Sequence, residues 1–366
     1  MKILHISTRQ NWGGGEQQLL YLLQHLSDVS HILLCPAGAP LRLRAEKTVT
    51  KTFTFPSLPH LVQIIALPFS IWSIMRRNRP DLIHAHDSTS HTIAWLAARF
   101  WGIKTPLIVS RRVTLGKHRG FLSRLKYNHP SIASYICVSE AVRQSLLGVV
   151  GQSKKLNVVY SGIDPARFPY QAPARFLRDE FQLQDHIRLI GNIASLVAAK
   201  DYPTFLRAAA YLLKKRNDLR FIITGDGPQG ERLKALAMAL NISPYIIFTG
   251  FRNDIERVLP SLDVFLFTSQ SEGLGTIVLD AMACRVPVVA THTGGIPEMI
   301  QHEETGLLAP AGDYQALAES VARLLDDQAL RTKIIRQAYS HVNKFHASRM
   351  AEQILAIYEE TLNISN

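Results

Sequence analysis

A chain of 366 residues is longer than one ordinary compact domain and suits two domains of roughly 150–200 residues each. An apolar content of 47% with no long low-complexity tract excludes intrinsic disorder; three scattered cysteines, Cys35, Cys137 and Cys284, exclude a disulfide framework or cysteine-ligated zinc and suit a reducing compartment. The net charge of +12 is lopsided: residues 1–165 hold 20 Lys and Arg against 7 Asp and Glu (+13), whereas residues 166–366 hold 21 against 22 (−1).

"KILHIS" opens as a short buried strand, and the chain turns polar too soon after it for a signal-peptide core. The glycine-rich turn "NWGGGEQ" follows, then an amphipathic helix through "EQQLLYLLQHL" and a strand "HILLCP". A helical pattern fills 61–78. Its apolar part, 61–75, is interrupted by Pro68, ends in "RRNR" and falls short of the ~20 residues that span a bilayer. The expected location is therefore cytoplasmic, either soluble or peripheral on the inner face of the membrane. "DLIHAH" (81–86) reads as a strand, "TIAWLAARFWG" as a helix closed by Gly102, "TPLIVS" (105–110) and "SYICVS" (134–139) as strands, and "EAVRQSLLG" as a helix.

The segment "PYQAPARF" has two prolines and little periodicity and reads as a linker. Alternation then restarts with "IRLIGNIAS", "DYPTFLRAAAYLLKK", "LRFIITGDG", "ERLKALAMAL", "IIFTGF", a short helix, "VFLFTS", a helix from about 276 and "VPVVAT". The tail from 313 is helical in pattern. Alternating strands and helices specify parallel sheets. The fold class is α/β, with two doubly wound Rossmann-like domains over 1–165 and 166–345; a helix over 346–366 is a candidate to pack back on the first. Ligands bind beyond the carboxyl ends of such strands, where every motif of interest falls.

"GGGE" (13–16) lets the backbone approach a ligand and offers a helix N-terminus to an anion. It has neither the G-x-G-x-x-G spacing of a dinucleotide site nor the GK[ST] of a P-loop. Lys200 follows a strand and precedes a helix, where an ammonium suits a diphosphate whose charge grows as it leaves. Asp226, in "TGDGPQ", reads as a turn residue or a hydroxyl acceptor. In "HAHD" (84–87), His84 and His86 point the same way with Asp87 near; a substrate-facing or hydrogen-bonded role is favoured over a metal, since no third ligand is evident.

"SEGLGTIVLDAMACRVPVV" (271–289) is the most informative stretch. Glu272 lies in a tight loop, free to reach a ligand, and the amides of Gly275, Thr276 and Ile277 open a helix toward an anion. Asp280 lies about one turn in, roughly 6 Å along the axis. Two acids flanking an anion site suit a ligand with hydroxyls at both ends and phosphates between, a nucleotide sugar.

With these residues assembled, the chain resembles the retaining glycosyltransferases of family four, which have the GT-B fold of two such domains facing across a cleft. The likeness runs nearly end to end, through "GGGE", "DLIHAHD", "CVSE", "YSGIDPARF", "KDYPTFLRAA", "ITGDGP", "FTGF", "SEGLGTIVLDAMACRVPVVATHTGGIPEMI" and "TGLLAPAGD". The resemblance implies a nucleotide-sugar donor in the second domain, an acceptor in the first, and no metal or other cofactor. It implies that Glu272 contacts the sugar, Asp280 the ribose, and Lys200 the diphosphate, with Gly14 and Gly15 on the diphosphate's other side. Asp226, Arg252, Gly273, Leu274, Gly275 and Thr276 complete the expected donor set. His84, His86 and Arg111 are expected on the acceptor side, and Glu272, Lys200 and Arg112 at the chemistry.

Three departures stand out. Many members carry an arginine five residues before the lysine, here Ser195; the second acid is an aspartate; and a histidine common after the strand "PLIVS" is replaced by the neighbourhood of Arg111 and Arg112. One of these arginines is expected to supply positive charge to the donor phosphates or the acceptor. The implied mechanism uses no protein nucleophile: the leaving diphosphate takes the acceptor proton on the face of attack. The basic first half, with its excess in 42–47, 76–79, 110–126 and 154–155, favours a lipid-linked or anionic glycan acceptor at an anionic membrane surface, with 61–79 as a docking helix. The alternatives are a GT-B sugar epimerase, a dehydrogenase, which lacks its cofactor fingerprint, and a basic nucleic-acid binder, which lacks interleaved aromatic and basic residues. Nucleic acid is therefore not an expected partner.

Overall fold

The computed structural model describes residues 1–116, 120–152, 154–168 and 175–365. Residues 117–119 of the basic segment and 169–174 of the proline-containing linker lie outside the described residues. The chain divides into two compact units, Met1–Ile163 with His346–Asn366, and Asp164–Phe345.

The first unit is built on seven parallel strands: β1 (Lys2–Ile6), β2 (Ser30–Pro36), β3 (Lys51–Phe55), β4 (Leu82–Ala85), β5 (Leu107–Arg111), β6 (Ile132–Cys137) and β7 (Lys155–Val158), in the order β3-β2-β1-β4-β5-β6-β7. Its central strands are buried on both faces, which is why they read as continuous apolar runs rather than alternating ones. The strand order reverses between β1 and β4, so the loops after these two strands part there and open a crevice.

The helix Ala347–Ser365 belongs to this sheet. Its Met350, Ala351, Ile354 and Tyr358 pack with Ile3, Leu22 and Ile108, and the helix lies against the one spanning Gly14–His25. Tyr358 is fully buried although 274 residues separate it from its hydrogen-bond partner His84.

The second unit holds β8 (Arg188–Ile193), β9 (Leu219–Thr224), β10 (Ile246–Gly250), β11 (Val264–Phe267), β12 (Val288–Thr291) and β13 (Leu307–Ala309), all parallel, in the order β10-β9-β8-β11-β12-β13. Its reversal lies between β8 and β11. The aromatic core of Tyr202, Phe205 and Phe221 fills one face.

Not anticipated from the sequence are β3, β7 and β13, and the short helices Pro40–Arg44, Phe121–Tyr127, Phe176–Glu180 and Ile296–Met299. β3 is a half-exposed edge strand whose Thr–Phe alternation spans only four residues, and β13 is three residues long, so neither shows the continuous apolar run of the central strands.

Candidate active site

In the second unit, the chain leaves β8 through a 3-10 turn, Ala198–Lys200. Asp201 then adopts a left-handed conformation (φ 45°) and caps the helix Tyr202–Leu213 by accepting from the Thr204 amide and hydroxyl. The turn directs Lys200 to the loop after β11, where its ammonium pairs with Glu272. The two side chains are 20% and 15% exposed, and Nζ stands 5.1 Å from the Phe267 ring centre. The Ser269 hydroxyl donates to the same carboxylate oxygen at 3.3 Å. Glu272 is therefore not free, as the sequence suggested: a carboxylate this buried is held by the nearest ammonium and hydroxyl.

The backbone of Glu272 is equally fixed. Its carbonyl accepts from the Gly295 amide at 3.3 Å, and a Cβ on Gly294 (φ 53°) would stand 1.9 Å from that oxygen. Thr291 and Thr293 donate to the carbonyls of Ser269 and Gln270 at 2.6 and 3.0 Å. These supports in "THTGG" were missed by reading the sequence, although a glycine pair directly after a strand was the available signal.

Gly275 (φ 88°) then opens the helix Thr276–Ala283, which no side chain caps, leaving its first amides to an external partner. A Cβ on Gly275 would press 3.2 Å from both Glu272 and Phe267. Gly273 and the buried Leu274 complete the loop. One turn into the helix, burial pushes the Asp280 carboxyl up to about 7, with the charge of Arg167 acting the other way.

Two expected donor residues are engaged elsewhere. Arg252 grips both oxygens of Asp254 at 2.8 and 2.7 Å and reaches Glu180 at 2.6 Å, so its charge is already neutralised twice. Asp226 accepts from the Phe251 amide at 3.1 Å and ties the turn after β9 to the end of β10.

In the first unit, Gly14 and Gly15 are the first residues of the helix, not part of the turn before it. The carboxylate of Glu16 folds back over this N-terminus, one oxygen 3.3 Å from where a Gly13 Cβ would be. Burial raises its pKa, while its own amide and the charge of Arg112 oppose the shift. This helix N-terminus thus carries a carboxyl group of the chain's own beside Gly14 and Gly15.

Arg111 and Arg112 diverge from the end of β5, as successive strand residues do. Arg112 runs along Gly15 toward Glu16 and Asp87, its pKa lowered to about 10 by burial with those acids opposing. Arg111, 3% exposed, lies over the Tyr127 ring, its guanidinium carbon 5.7 Å from the centre. Neither is a solvent-facing cation.

The histidines form a network. His84 is fully buried between the Tyr358 hydroxyl (2.6 Å) and the Ser110 hydroxyl (2.8 Å), and burial pushes its pKa down to about 3. It is a packing residue, not one facing an acceptor. β1 contributes a third histidine, His5, and ligand atoms of His5, His84 and His86 lie within 4.8 Å of one another. Both nitrogens of His5 and of His84 are engaged, so a metal bound through one nitrogen of each ring would have to break a hydrogen bond at both.

His5 instead sits in a directional chain. His31 Nε2 meets the Leu26 carbonyl at 2.9 Å, His31 Nδ1 meets His5 Nε2 at 3.0 Å, and His5 Nδ1 meets His86 Nε2 at 3.0 Å. Burial is the first cause holding all three rings below their ordinary pKa, hence neutral, with one proton each. A carbonyl only accepts, so His31 carries its proton on Nε2; the same then follows for His5 and for His86. His86 Nδ1 is left as a lone pair with no partner. Beside it, Asp87 caps the helix Ser88–Trp101 and accepts from the Thr8 amide and hydroxyl at 2.7 Å each.

Comparison with known proteins defines the class. The family model of group 1 glycosyl transferases matches residues 174–341, and that of glycosyltransferase family 4 matches residues 12–167. The chain belongs to the family-four glycosyltransferases with the GT-B fold. It is 26% identical over 340 residues to the N-acetyl-alpha-D-glucosaminyl L-malate synthase of Bacillus anthracis, covering 89% of this chain and 88% of that one. It is 28% identical over 305 residues to the D-inositol 3-phosphate glycosyltransferase of Corynebacterium efficiens, covering 76% and 71%. Anabaena HepE in complex with UDP and glucose superposes with a TM-score of 0.86 at 21% identity, over 98% of this chain and 100% of that one.

Proposed function

We propose that this protein transfers a sugar, with retention and without a metal, from a nucleotide-diphosphate sugar to a hydroxyl of a cell-envelope glycan or lipid-linked acceptor, with a UDP-sugar the favoured donor. The observation that carries this reading is the Lys200–Glu272 pair at the switch point of the second sheet, beside an uncapped helix N-terminus with Asp280 one turn on. The amides of Thr276 and Ile277 and the Lys200 ammonium supply positive charge for a diphosphate, whose own negative charge grows as the bond to the sugar breaks. Glu272, released from Lys200 as the ammonium turns to phosphate, accepts from the sugar hydroxyls. Asp280 accepts from the ribose. The leaving diphosphate takes the acceptor proton on the face of attack, so no protein group need form a covalent intermediate. UDP and glucose in the Anabaena HepE complex support a UDP-sugar.

A panel of nucleotide sugars tested by thermal shift checks the donor, since a ligand of the native state raises Tm by mass action. A rise with UDP-sugars, and donor consumption only when acceptor is present, is expected. No response to any UDP-sugar overturns the donor reading, and turnover of donor alone to an epimer overturns the transferase reading.

The first unit also shows apolar side chains to solvent: Leu61, Ile65 and Phe69 on the helix His60–Asn78, and Phe121 and Leu122 on the helix Phe121–Tyr127. With the arginines at 76, 77 and 79, these suit peripheral docking on an anionic membrane. No described helix is long and apolar enough to cross one. Cosedimentation with anionic but not neutral vesicles is expected, and equal binding to both removes the electrostatic part of this reading.

A further inference from the structure

Buried charges in proteins are paired, because an ion withdrawn from water without a counter-charge is costly. Arg111, which is buried, and Lys126, which is half-buried, depart from this rule together. Arg111 is 97% withdrawn from solvent (3% exposed), its Nε has no partner, and no carboxylate lies within ion-pairing distance of it or of Lys126 among the described residues. The residues outside the described set, 117–119, 153, 169–174 and 366, include no Asp or Glu that could supply one.

The two cations share one aromatic ring. The Lys126 Nζ stands 5.1 Å, and the Arg111 guanidinium carbon 5.7 Å, from the centre of Tyr127. Lys126 donates to the Thr92 hydroxyl at 3.2 Å and makes no other hydrogen bond that offsets its charge. Burial, with the charge of Arg111 second, lowers its pKa to about 8. The third wall is His91, fully buried, packed edge-on to Tyr127 at 5.1 Å, with neither ring nitrogen bonded.

Arg111 ends β5 and His91 lies in the first turn of the helix after β4, so the cluster sits at the carboxyl edge of the sheet, where ligands bind. Arg112, by contrast, already has Glu16 and Asp87 as nearby counter-charges.

We propose that Arg111, Lys126 and His91 form a subsite for an anionic group, a phosphate or carboxylate, carried by the acceptor. The guanidinium and ammonium supply the charge, His91 supplies a hydrogen bond, and Tyr127 fixes both cations in place. The assignment to the acceptor rests on the glycosyltransferase reading; the binding of an anion does not.

The test titrates the full chain with inorganic phosphate at constant ionic strength, reading Tm, with UDP affinity measured in parallel. Wild type, Lys126→Met, Arg111→Gln and Arg124→Met are compared, the last removing an exposed cation from the same helix. A saturable Tm rise in wild type and Arg124→Met, weakened at least ten-fold in Lys126→Met with UDP affinity unchanged, is expected. Arg111→Gln should behave alike, and Lys126→Met keeps the test open should that variant fail to fold.

Vesicles with phosphatidic acid separate the two sources: a response to soluble phosphate identifies a free phosphorylated group, and a Lys126-dependent response confined to the vesicles identifies a lipid headgroup. An equal response in all four proteins, or none to either probe, overturns the subsite. Loss of UDP binding in every protein, wild type included, overturns the donor reading and leaves the subsite standing.

Discussion

Lys200 and Glu272, 72 positions apart in sequence, neutralise each other at the meeting point of β8 and β11. Removing one member of a mostly buried pair leaves the other charge without compensation. Glu272→Gln should therefore lower stability by about 1–3 kcal/mol and should slow transfer more than it weakens UDP binding. Denaturant unfolding and steady-state kinetics check both parts; an unchanged kcat would overturn the role at the sugar.

Asp280 links function to pH. Its folded pKa of about 7 lies above the ordinary aspartate value of 3.8, so the folded chain holds this proton more tightly than the unfolded one. The stability that the neutral acid contributes is present below about 4 and is lost as pH rises through 7. Asp280→Asn should accordingly raise Tm at pH 8, change it little at pH 4, and weaken UDP affinity at both. A variant no more stable than wild type at pH 8 would show that the carboxylate is not strained there.

The histidine chain predicts an effect at a distance. His31→Leu removes the ring that reads the Leu26 carbonyl, so nothing then fixes which nitrogen of His5, and in turn of His86, carries the proton. Ring 15N shifts should show His86 protonated at Nε2 in the wild type and a mixture of tautomers in the variant. With His86 Nδ1 accepting from an acceptor hydroxyl other than the attacking one, kcat/KM should fall roughly ten-fold, about 1.4 kcal/mol. A wild-type His86 protonated at Nδ1 would refute the chain.

Gly294→Ala places a methyl group 1.9 Å from the Glu272 carbonyl oxygen at a left-handed φ of 53°. Loss of more than about 2 kcal/mol of stability, together with loss of transfer, is expected. A variant with native Tm would mean that the loop yields, and that Glu272 is not held from this side.

Arg252→Ala distinguishes a strut from a ligand. The guanidinium joins Glu180 to Asp254, so its loss should lower Tm and leave UDP affinity within two-fold of wild type, which calorimetry reads directly. A large fall in affinity would return Arg252 to the donor site.

Both parallel sheets were legible in the sequence because strands buried on two faces announce themselves as apolar runs between helical periods. Edge strands such as β3, half exposed and polar, lack that mark. The loop from Glu272 to Thr276 could be placed because its glycines sit between a strand and a helix. The partners could not: whether Arg252 meets phosphate or Asp254, and whether Glu272 is free or bound to Lys200, depends on side chains brought together across tens of residues. The same holds for His84, whose partner Tyr358 lies in the last helix.

That last helix has a consequence for how the chain is made. Synthesis runs from the amino end, so residues 1–163 leave the ribosome first, yet the surface that covers Ile3, Leu22 and Ile108 is supplied by residues 347–358. The second unit, continuous from Asp164 to Phe345, can close while synthesis is still under way. The first-made sheet must wait, partly uncovered, for the final helix, so the order of completion is the reverse of the order of synthesis. A stalled or truncated chain is thereby left with an exposed apolar face on its older half.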